Sequence, residues 1–195
     1  MPYCRKEKSK WAKLNNLQEV VPPLNSNPMK LRELNEFDQG GFTFALADIF
    51  EHSPWIPSET WIKKPFSSVD DLHEKLCETL ATASSELKIK LIRAHPDLAG
   101  KLAMSGELTE FSSNEQQSAQ LDKLTEEQFN RITELNNRYR ETFGFPFIIC
   151  VKEHTQASIF KHFEDRIRND SDSELEAALF QIGRIAWHRL NDLID

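Results

Sequence analysis

A histidine followed directly by a proline is the feature of this chain best suited to chemistry. His95 lies in the segment Arg93–Lys101, at the end of a run with helical periodicity. Because Pro96 clashes with a helical residue before it, His95 is predicted to adopt extended backbone and to end the helix. An imidazole held at such a break can titrate near neutral pH and act as a general acid or base. The alternative is that Pro96 only ends a helix, with His95 a favourable cation at its C-terminus.

An arginine in the last predicted helix is the second candidate. The apolar residues of positions 175–193 fall on one helical stripe, and Arg189 lies inside that stripe, whereas Arg184 and His188 lie away from it. An inward guanidinium needs an anionic partner, because an unpaired buried charge is very costly. The partner is either an internal carboxylate or a bound ligand, since the planar fork of arginine suits any carboxylate. The pattern leaves both open.

Two further segments contain residues that could form a site. Ser112 and Glu115 have the spacing of a capping box, which predicts that Ser112 caps a helix. The apolar run Phe147–Val151 follows a predicted helix stop at Gly144 and is too short to be a helix. Because no second strand is available to pair with it, we predict that this run is buried extended chain. Backbone N–H and C=O groups in such a segment are not all used in a ladder.

These segments together resemble the 2-oxo-4-hydroxy-4-carboxy-5-ureidoimidazoline (OHCU) decarboxylases, which complete the conversion of urate to allantoin. The similarity runs from about residue 29 to residue 194. Ordered blocks over most of a chain are far more specific than one short motif. The blocks are Phe50–Trp55, Pro65–His73, Arg93–Lys101, Ser112–Gln116, Gly144–Val151 and Ile185–Leu190.

The resemblance implies a reaction and a role for each candidate residue. The reaction is decarboxylation of OHCU to (S)-allantoin and CO2 by a carboxy-lyase that needs no cofactor and no metal. His95 would be the catalytic acid and base, Glu115 would lie beside it, and Arg189 would contact the substrate. The implied substrate pocket consists of Pro96, Ser112, Ser113, Asn114, Glu115, Gln116, Phe147, Ile148, Ile149, Cys150, Val151 and Arg189. A non-catalytic helical module that binds a carboxylated small molecule is the alternative.

Composition argues against several other classes of function. The 31 acidic and 24 basic residues give a formal net charge of −7, which disfavours binding to nucleic acid or to an anionic membrane surface. The three cysteines include no C-x-x-C, and the six histidines include no H-E-x-x-H and no i,i+4 pair. Neither a disulfide framework nor a histidine-rich zinc site is therefore expected. The expected partner is a small molecule.

Targeting signals and partners give further expectations. No apolar run is long enough to span a bilayer, the N-terminus lacks the apolar core of a secretory signal, and Leu193-Ile194-Asp195 is not a peroxisomal address. We therefore expect a cytoplasmic protein that does not enter a membrane. The resemblance also implies a homodimer, and functional coupling to uricase and hydroxyisourate hydrolase.

The elements that must position these residues are predicted to be helical. Residues 1–28 form a basic N-terminal extension with a Pro-rich linker, expected to be flexible, and residues 29–195 form one helical domain. With no convincing strands, the fold class is all-α, a single-domain bundle of about seven to nine helices. One predicted helix covers residues 42–50, a second begins at Ser68 and a third ends at His95. Three more run from Thr125 to Gly144, over residues 157–167 and over residues 175–193.

Overall fold

Nine α-helices make up most of the chain that the computed structural model describes, which is residues 28–100 and 109–195. The helices are α1 (Leu31–Glu36), α2 (Gln39–Ala45), α3 (Trp55–Thr60), α4 (Val69–Thr82), α5 (Ser85–Ala94), α6 (Glu110–Ser118), α7 (Glu126–Phe143), α8 (Gln156–Arg166) and α9 (Ser171–Leu193). The predicted all-α fold class and the number of helices are confirmed. The extension predicted for residues 1–28 lies outside the described residues except for Pro28, as does Lys101 of the histidine motif.

Side-chain caps begin the helices that the sequence predicts most clearly. Ser68 Oγ accepts a hydrogen bond from the Asp71 N–H at 3.0 Å, which begins α4. Thr125 and Gln128 form both bonds of a capping box at the start of α7, 3.2 Å and 2.9 Å long. Both predicted starts are confirmed, because each cap satisfies an N–H group that the first helical turn leaves without a partner.

The predicted stop of α7 at Gly144 is also confirmed. Gly144 has a left-handed backbone with φ of 73°, and its N–H donates to the Arg140 carbonyl at 2.8 Å. Left-handed backbone brings a Cβ too close to the following carbonyl, so glycine avoids a cost that other residues pay.

Gly144→Ala is expected to lower the free energy of unfolding by about 1–2 kcal/mol, because alanine is strained at this φ. Urea unfolding followed by far-UV circular dichroism measures the loss. Gly183→Ala is the matched control, since an added Cβ there makes an ordinary 3.6 Å contact with Cys77 Sγ inside a helix. That control should be neutral or stabilising, and equal losses in the two variants would contradict the explanation.

Helix α2 is shorter than the sequence predicts. Periodicity predicts one helix through Phe50, whereas α2 ends at Ala45 and residues 46–50 form turns. Bonds of the i,i+3 kind, such as Ile49 N–H to the Leu46 carbonyl at 3.2 Å, replace the regular helical pattern. The apolar side chains of this stretch are still buried. The turns bring the chain round so that residue 51 reaches the interior, which a continuing helix would not do.

Helix α9 is the central element of the core and packs against α4 and α5. Its buried face contains Ala178, Ile182, Ile185, Ala186 and Leu190, as the predicted stripe requires. The end of α9 pairs with residue 29, which precedes α1. The Met29 N–H donates to the Leu193 carbonyl at 2.8 Å, and the Asp195 N–H donates to the Met29 carbonyl at 2.9 Å.

Residues 147–150 belong to no helix or strand, and a 3₁₀ turn begins at Val151. All five residues of the segment Phe147–Val151 are buried. The prediction that this run is buried is therefore confirmed. Its first four residues lie outside helices and strands, whereas Val151 starts a 3₁₀ turn and not the predicted extended chain. Aromatic packing anchors its start, because the Phe147 ring stacks on Phe163 with centroids 3.8 Å apart and meets Tyr139 edge-on at 5.2 Å. One end of this segment is thus fixed to α7 and α8.

None of the helices in the part of the chain that the structure describes combines the length and apolar character of a membrane-spanning segment.

Candidate active site

His95 is placed by the end of α5. Its backbone is extended, with φ of −73° and ψ of 141°, as Pro96 predicts. The side chain is buried, and its Nδ1 lies 2.9 Å from the Leu91 carbonyl oxygen. A carbonyl can only accept, so Nδ1 carries the hydrogen and donates it. In the neutral ring Nε2 is then the nitrogen with a lone pair, and it is the one able to take a proton.

The surroundings of His95 favour the neutral imidazole. Burial lowers the pKa of His95 to about 4, although the hydrogen bond to Leu91 and the charge of Glu51 act in the opposite direction. The Arg189 guanidinium adds to the lowering. His95 is therefore neutral at pH 7, which suits a general base rather than the helix-terminal cation of the alternative interpretation.

Arg189 is fully buried within α9, so the predicted inward orientation is confirmed. Its guanidinium forms a two-pronged pair with Glu115, with Nε to Oε1 at 2.8 Å and Nη2 to Oε2 at 2.9 Å. The same group donates to Ser112 Oγ at 3.2 Å, to the Asp48 carbonyl at 2.9 Å and to Glu51 Oε2 at 3.1 Å. All five N–H groups of this side chain thus have protein acceptors.

Glu51 is the site residue that sequence reasoning missed. It lies in the turns after α2, is buried, and accepts hydrogen bonds from Thr109 Oγ1 at 3.0 Å and Ser112 Oγ at 3.1 Å besides its bond from Arg189. Burial raises the pKa of Glu51, but the charge of Arg189 and these hydrogen bonds outweigh it, so the net pKa is lowered. The available signal was a carboxylate placed directly after the apolar pair Ile49-Phe50.

The charge of Arg189 is held in place by these two carboxylates. Burial acts against its positive charge, yet the hydrogen bonds and charges of Glu115 and Glu51 raise its pKa overall. A buried ion pair is tolerated when its geometry is good and its remaining polar atoms are satisfied. The sequence requires an anionic partner for Arg189 without naming it. The structure pairs Arg189 with two internal carboxylates, Glu115 and Glu51.

Helix α6 begins earlier than the capping-box spacing predicts. Thr109 is the N-cap, and its Oγ1 accepts from the Ser112 N–H at 3.3 Å. The prediction that Ser112 caps this helix is therefore wrong, because a better-placed hydroxyl lies one turn before it. Ser112, Glu115 and Gln116 instead share the inward face of α6. Successive helical residues turn by about 100°, so Ser113 and Asn114 lie on another face.

A cavity of about 40 Å³ opens beside His95 and Arg189. Its lining includes ten of the predicted site residues, and only Leu98 and Ile185 were not predicted. The predicted residues that line it are His95, Pro96, Ser112, Glu115, Gln116, Phe147, Ile148, Ile149, Val151 and Arg189. Ser113, Asn114 and Cys150 do not line this cavity. Four regions distant in sequence thus meet at one place, as the resemblance implies.

The loop after His95 is tied to the neighbouring helices. Gln116 Oε1 accepts from the Ala99 N–H at 2.9 Å, and Asn136 Nδ2 donates to the Leu98 carbonyl at 2.9 Å. Arg140 Nε lies 2.9 Å and 3.1 Å from the two carboxylate oxygens of Asp97. These bonds fix the chain on the C-terminal side of the histidine, so the imidazole is held from both sides.

Within the described ranges, one group combines three side chains of metal-ligating type. The ligand atoms of Cys150, Glu153 and His188 all lie within 4.8 Å of one another. Glu153 Oε1 accepts from Arg184 Nη2 at 2.5 Å and lies 2.9 Å from His188 Nε2. Burial raises the pKa of the Cys150 thiol to about 11, so it is protonated at neutral pH. The Arg184 guanidinium already neutralises the Glu153 carboxylate, so a metal ion at this site would have to displace Arg184.

Comparisons with known proteins identify the family of this chain. The family model described as OHCU decarboxylase matches residues 35–191. A 2-oxo-4-hydroxy-4-carboxy-5-ureidoimidazoline decarboxylase of Halalkalicoccus jeotgali is 39% identical over 165 residues, covering 85% of this chain and 92% of its own. The uric acid degradation bifunctional protein of Bacillus subtilis is 39% identical over 162 residues, covering 83% of this chain but 32% of its own.

A solved structure shows the same fold. The crystal structure of (S)-allantoin synthase superposes with a TM-score of 0.67 at 25% identity, covering 86% of this chain and 55% of that one. The family model spans most of the chain and includes every residue of the cavity lining. The chain therefore belongs to the OHCU decarboxylase family.

Proposed function

We propose that this protein is a carboxy-lyase that converts OHCU to (S)-allantoin and CO2, the last step in the conversion of urate to allantoin. The observation that carries the proposal is the meeting of a neutral imidazole with a guanidinium and its carboxylates at one cavity, in a chain of this family. An enzyme for this reaction needs a proton acceptor and a site that suits an anion. His95 and Arg189 are the candidates for these two roles, and both line the cavity.

The chemistry of the substrate explains why side chains can suffice. OHCU carries a carboxylate and a hydroxyl on one ring carbon, next to a C=N bond. When CO2 leaves, the electrons of the broken bond can pass into that C=N bond. The substrate thus provides the electron sink for which other decarboxylases use a cofactor. The protein has to supply orientation, proton transfer and electrostatic stabilisation.

His95 is the proposed general acid and base. Its Nε2 takes a proton from the substrate hydroxyl and later helps to deliver one to the ring. Glu115 orients the reacting groups or accepts a hydrogen bond from the hydroxyl. Because the walls of the cavity are chiral, the proton arrives on one face of the ring, which gives the S product. The spontaneous reaction has no such preference and gives a racemate.

Arg189 is the proposed partner of the substrate carboxylate. Its N–H groups all have protein acceptors, so direct contact requires the substrate to replace one of them. The bond to Ser112 Oγ, at 3.2 Å, is the longest of its five and the one to a neutral side chain. Hydrogen bonds between charged groups are stronger than those to a neutral partner. We therefore propose that the substrate carboxylate takes this N–H and that Ser112 turns to the substrate with it.

The remaining substrate contacts belong to the same proposal. Pro96 and Gln116 would border the substrate beside His95. The segment of residues 147–151, to which Cys150 belongs, would bind its polar edge through backbone groups that have no protein partner. Ser113 and Asn114 would contact it at the rim of α6. The coupling to uricase and hydroxyisourate hydrolase, the homodimer and the cytoplasmic location remain predictions. Light scattering of the purified protein tests the dimer.

A coupled chiral assay tests the proposed function. Urate is converted by uricase and hydroxyisourate hydrolase in the presence of the purified, chelator-treated protein, and circular dichroism follows (S)-allantoin. We expect the dichroic signal of (S)-allantoin to appear with the protein and to be absent without it, because the spontaneous reaction gives a racemate. A module that only binds the compound would raise the melting temperature without this signal, which would overturn the proposal. Loss of activity on chelation would overturn its cofactor-free form.

The pH dependence of the rate should follow His95. Because burial holds its pKa near 4, the neutral base is present above that value and is lost as pH falls through it. We expect kcat/KM to be nearly constant from about pH 5 to about pH 8 and to fall below that range, because kcat/KM reports the pKa values of the enzyme without bound substrate. Initial rates at substrate concentrations well below KM, in matched ionic strength, measure the profile. An acidic limb at the ordinary histidine value of 6.5 would contradict it.

A further inference from the structure

Two polar side chains that do not line the cavity hold the backbone of the buried segment Phe147–Val151. Arg166 Nη1 of α8 donates to the Ile148 carbonyl at 2.6 Å. Gln181 Oε1 of α9 accepts from the Cys150 N–H at 2.7 Å. Neither Arg166 nor Gln181 is part of the cavity lining. Both contacts are made to the backbone, so they fix the position and rotation of the segment whatever its side chains are.

Arg166 is itself fixed by a buried carboxylate. Its Nε lies 3.1 Å from Glu174 Oε1, and Asn169 Nδ2 donates to Glu174 Oε2 at 2.8 Å. The Arg166 guanidinium also lies over the Phe147 ring, 4.6 Å from its centroid. The donor that holds the Ile148 carbonyl is therefore rigid, because each of its neighbours is held by a further contact.

The residue between the two anchored groups faces the cavity. Ile149 is 3% exposed and lines the cavity. In the part of the chain that the structure describes, no protein group accepts from its N–H or donates to its carbonyl. In an extended chain the N–H and C=O of one residue point to one side, and those of the next residue point to the other. Anchoring the Ile148 carbonyl and the Cys150 N–H on one side therefore turns the N–H and C=O of Ile149 to the other side. A buried peptide group without a partner costs free energy that a ligand can recover.

We propose that Gln181 and Arg166 are positioning residues, which hold the backbone of residues 148 and 150 so that the Ile149 N–H and carbonyl face the bound substrate. This inference rests on the proposed function. A ureido group offers both N–H donors and a carbonyl acceptor, which matches one peptide N–H beside one peptide carbonyl. The contact lies away from the carbon that loses CO2. It therefore stabilises the ground state and the transition state equally, and acts on KM more than on kcat.

Gln181 is the better position for a test, because removal of Arg166 would leave buried Glu174 without its cation. Gln181→Leu keeps the size and helix propensity of the side chain and removes the acceptor. We expect KM for OHCU to rise about tenfold, the value of one hydrogen bond, while kcat changes less than about twofold. Gln181→Glu restores an acceptor oxygen and is expected to bring KM back to within about twofold of the wild type.

The control variant is Gln39→Leu. Gln39 Nε2 donates to the Ser58 carbonyl at 3.0 Å, between α2 and α3 and away from residues 147–151. The Gln39→Leu variant removes a hydrogen bond from a glutamine to the backbone but leaves residues 147–151 unchanged, so KM should not change. Melting temperatures of all three variants show whether a change in KM follows stability alone.

The outcomes separate this inference from the proposed function. An active wild type with unchanged KM in Gln181→Leu would overturn the positioning role alone. Equal increases in KM for the Leu and Glu variants would also overturn it, since the acceptor would then be irrelevant. A wild type without turnover of OHCU would overturn the proposed function and this inference together. A raised KM in the Leu variant, recovered in the Glu variant, supports both.

Discussion

His95→Asn is expected to lower kcat for OHCU by about 10²-fold or more while leaving the protein folded. The loss follows from removing Nε2, the nitrogen that the bond from Nδ1 to the Leu91 carbonyl leaves able to accept a proton. The fold is retained because an asparagine Nδ2 can donate to the same carbonyl. The coupled chiral assay measures the rate, and thermal unfolding measures the fold.

His162→Asn is the matched control for this substitution. His162 lies exposed on α8 and outside the cavity lining, so its replacement should leave kcat within about twofold of the wild type. If His95→Asn produced (S)-allantoin at the wild-type rate, the imidazole would have no part in proton transfer. The acid limb of the pH profile should disappear in the same variant, which provides an independent check.

Arg189→Met is expected to destabilise the protein by about 3–5 kcal/mol, because it leaves Glu51 and Glu115 buried without their shared cation. A loss of that size is a large share of a typical stability of about 5–15 kcal/mol. Activity should be lost as well, since the proposed partner of the substrate carboxylate is gone. Chemical denaturation followed by circular dichroism gives the free energy of unfolding.

Arg184→Met is the control on the same helix. Arg184 pairs with Glu153, but the two side chains are 36% and 30% exposed, so water can solvate the remaining charge. Partly exposed ion pairs contribute about 0–1 kcal/mol, and the variant should lose no more than that. Similar losses for the two variants would contradict the explanation by burial. Arg189→Lys separates charge from geometry, since lysine keeps the cation but cannot form the two-pronged pair with Glu115.

Much of the fold follows from local patterns in the sequence. Capping side chains at Ser68 and Thr125 and the glycine at position 144 mark real helix ends, because each acts within one turn of the chain. The exception is the stretch after Ala45. There the apolar spacing is correct for burial, but it does not distinguish a continuing helix from turns that bury the same side chains.

The site was harder to predict because its contacts join distant residues. The stripe of α9 shows that Arg189 points inward, and nothing local shows that two carboxylates and a hydroxyl receive its N–H groups. Glu51 lies 138 positions away from Arg189 along the chain. The capping-box spacing at Ser112 was misleading for a related reason, since Thr109 provides the cap one turn earlier.

The pairing of Met29 with the last turn of α9 bears on how this domain can be joined to others. Residue 29 and residue 194 form a parallel bridge, so the chain enters and leaves the domain at adjacent points. Adjacent ends are a common property of domains that tolerate fusion, insertion and circular permutation. A neighbouring catalytic unit can therefore be joined at either end of this bundle, or the two ends linked by a short connector and the chain reopened at a surface loop.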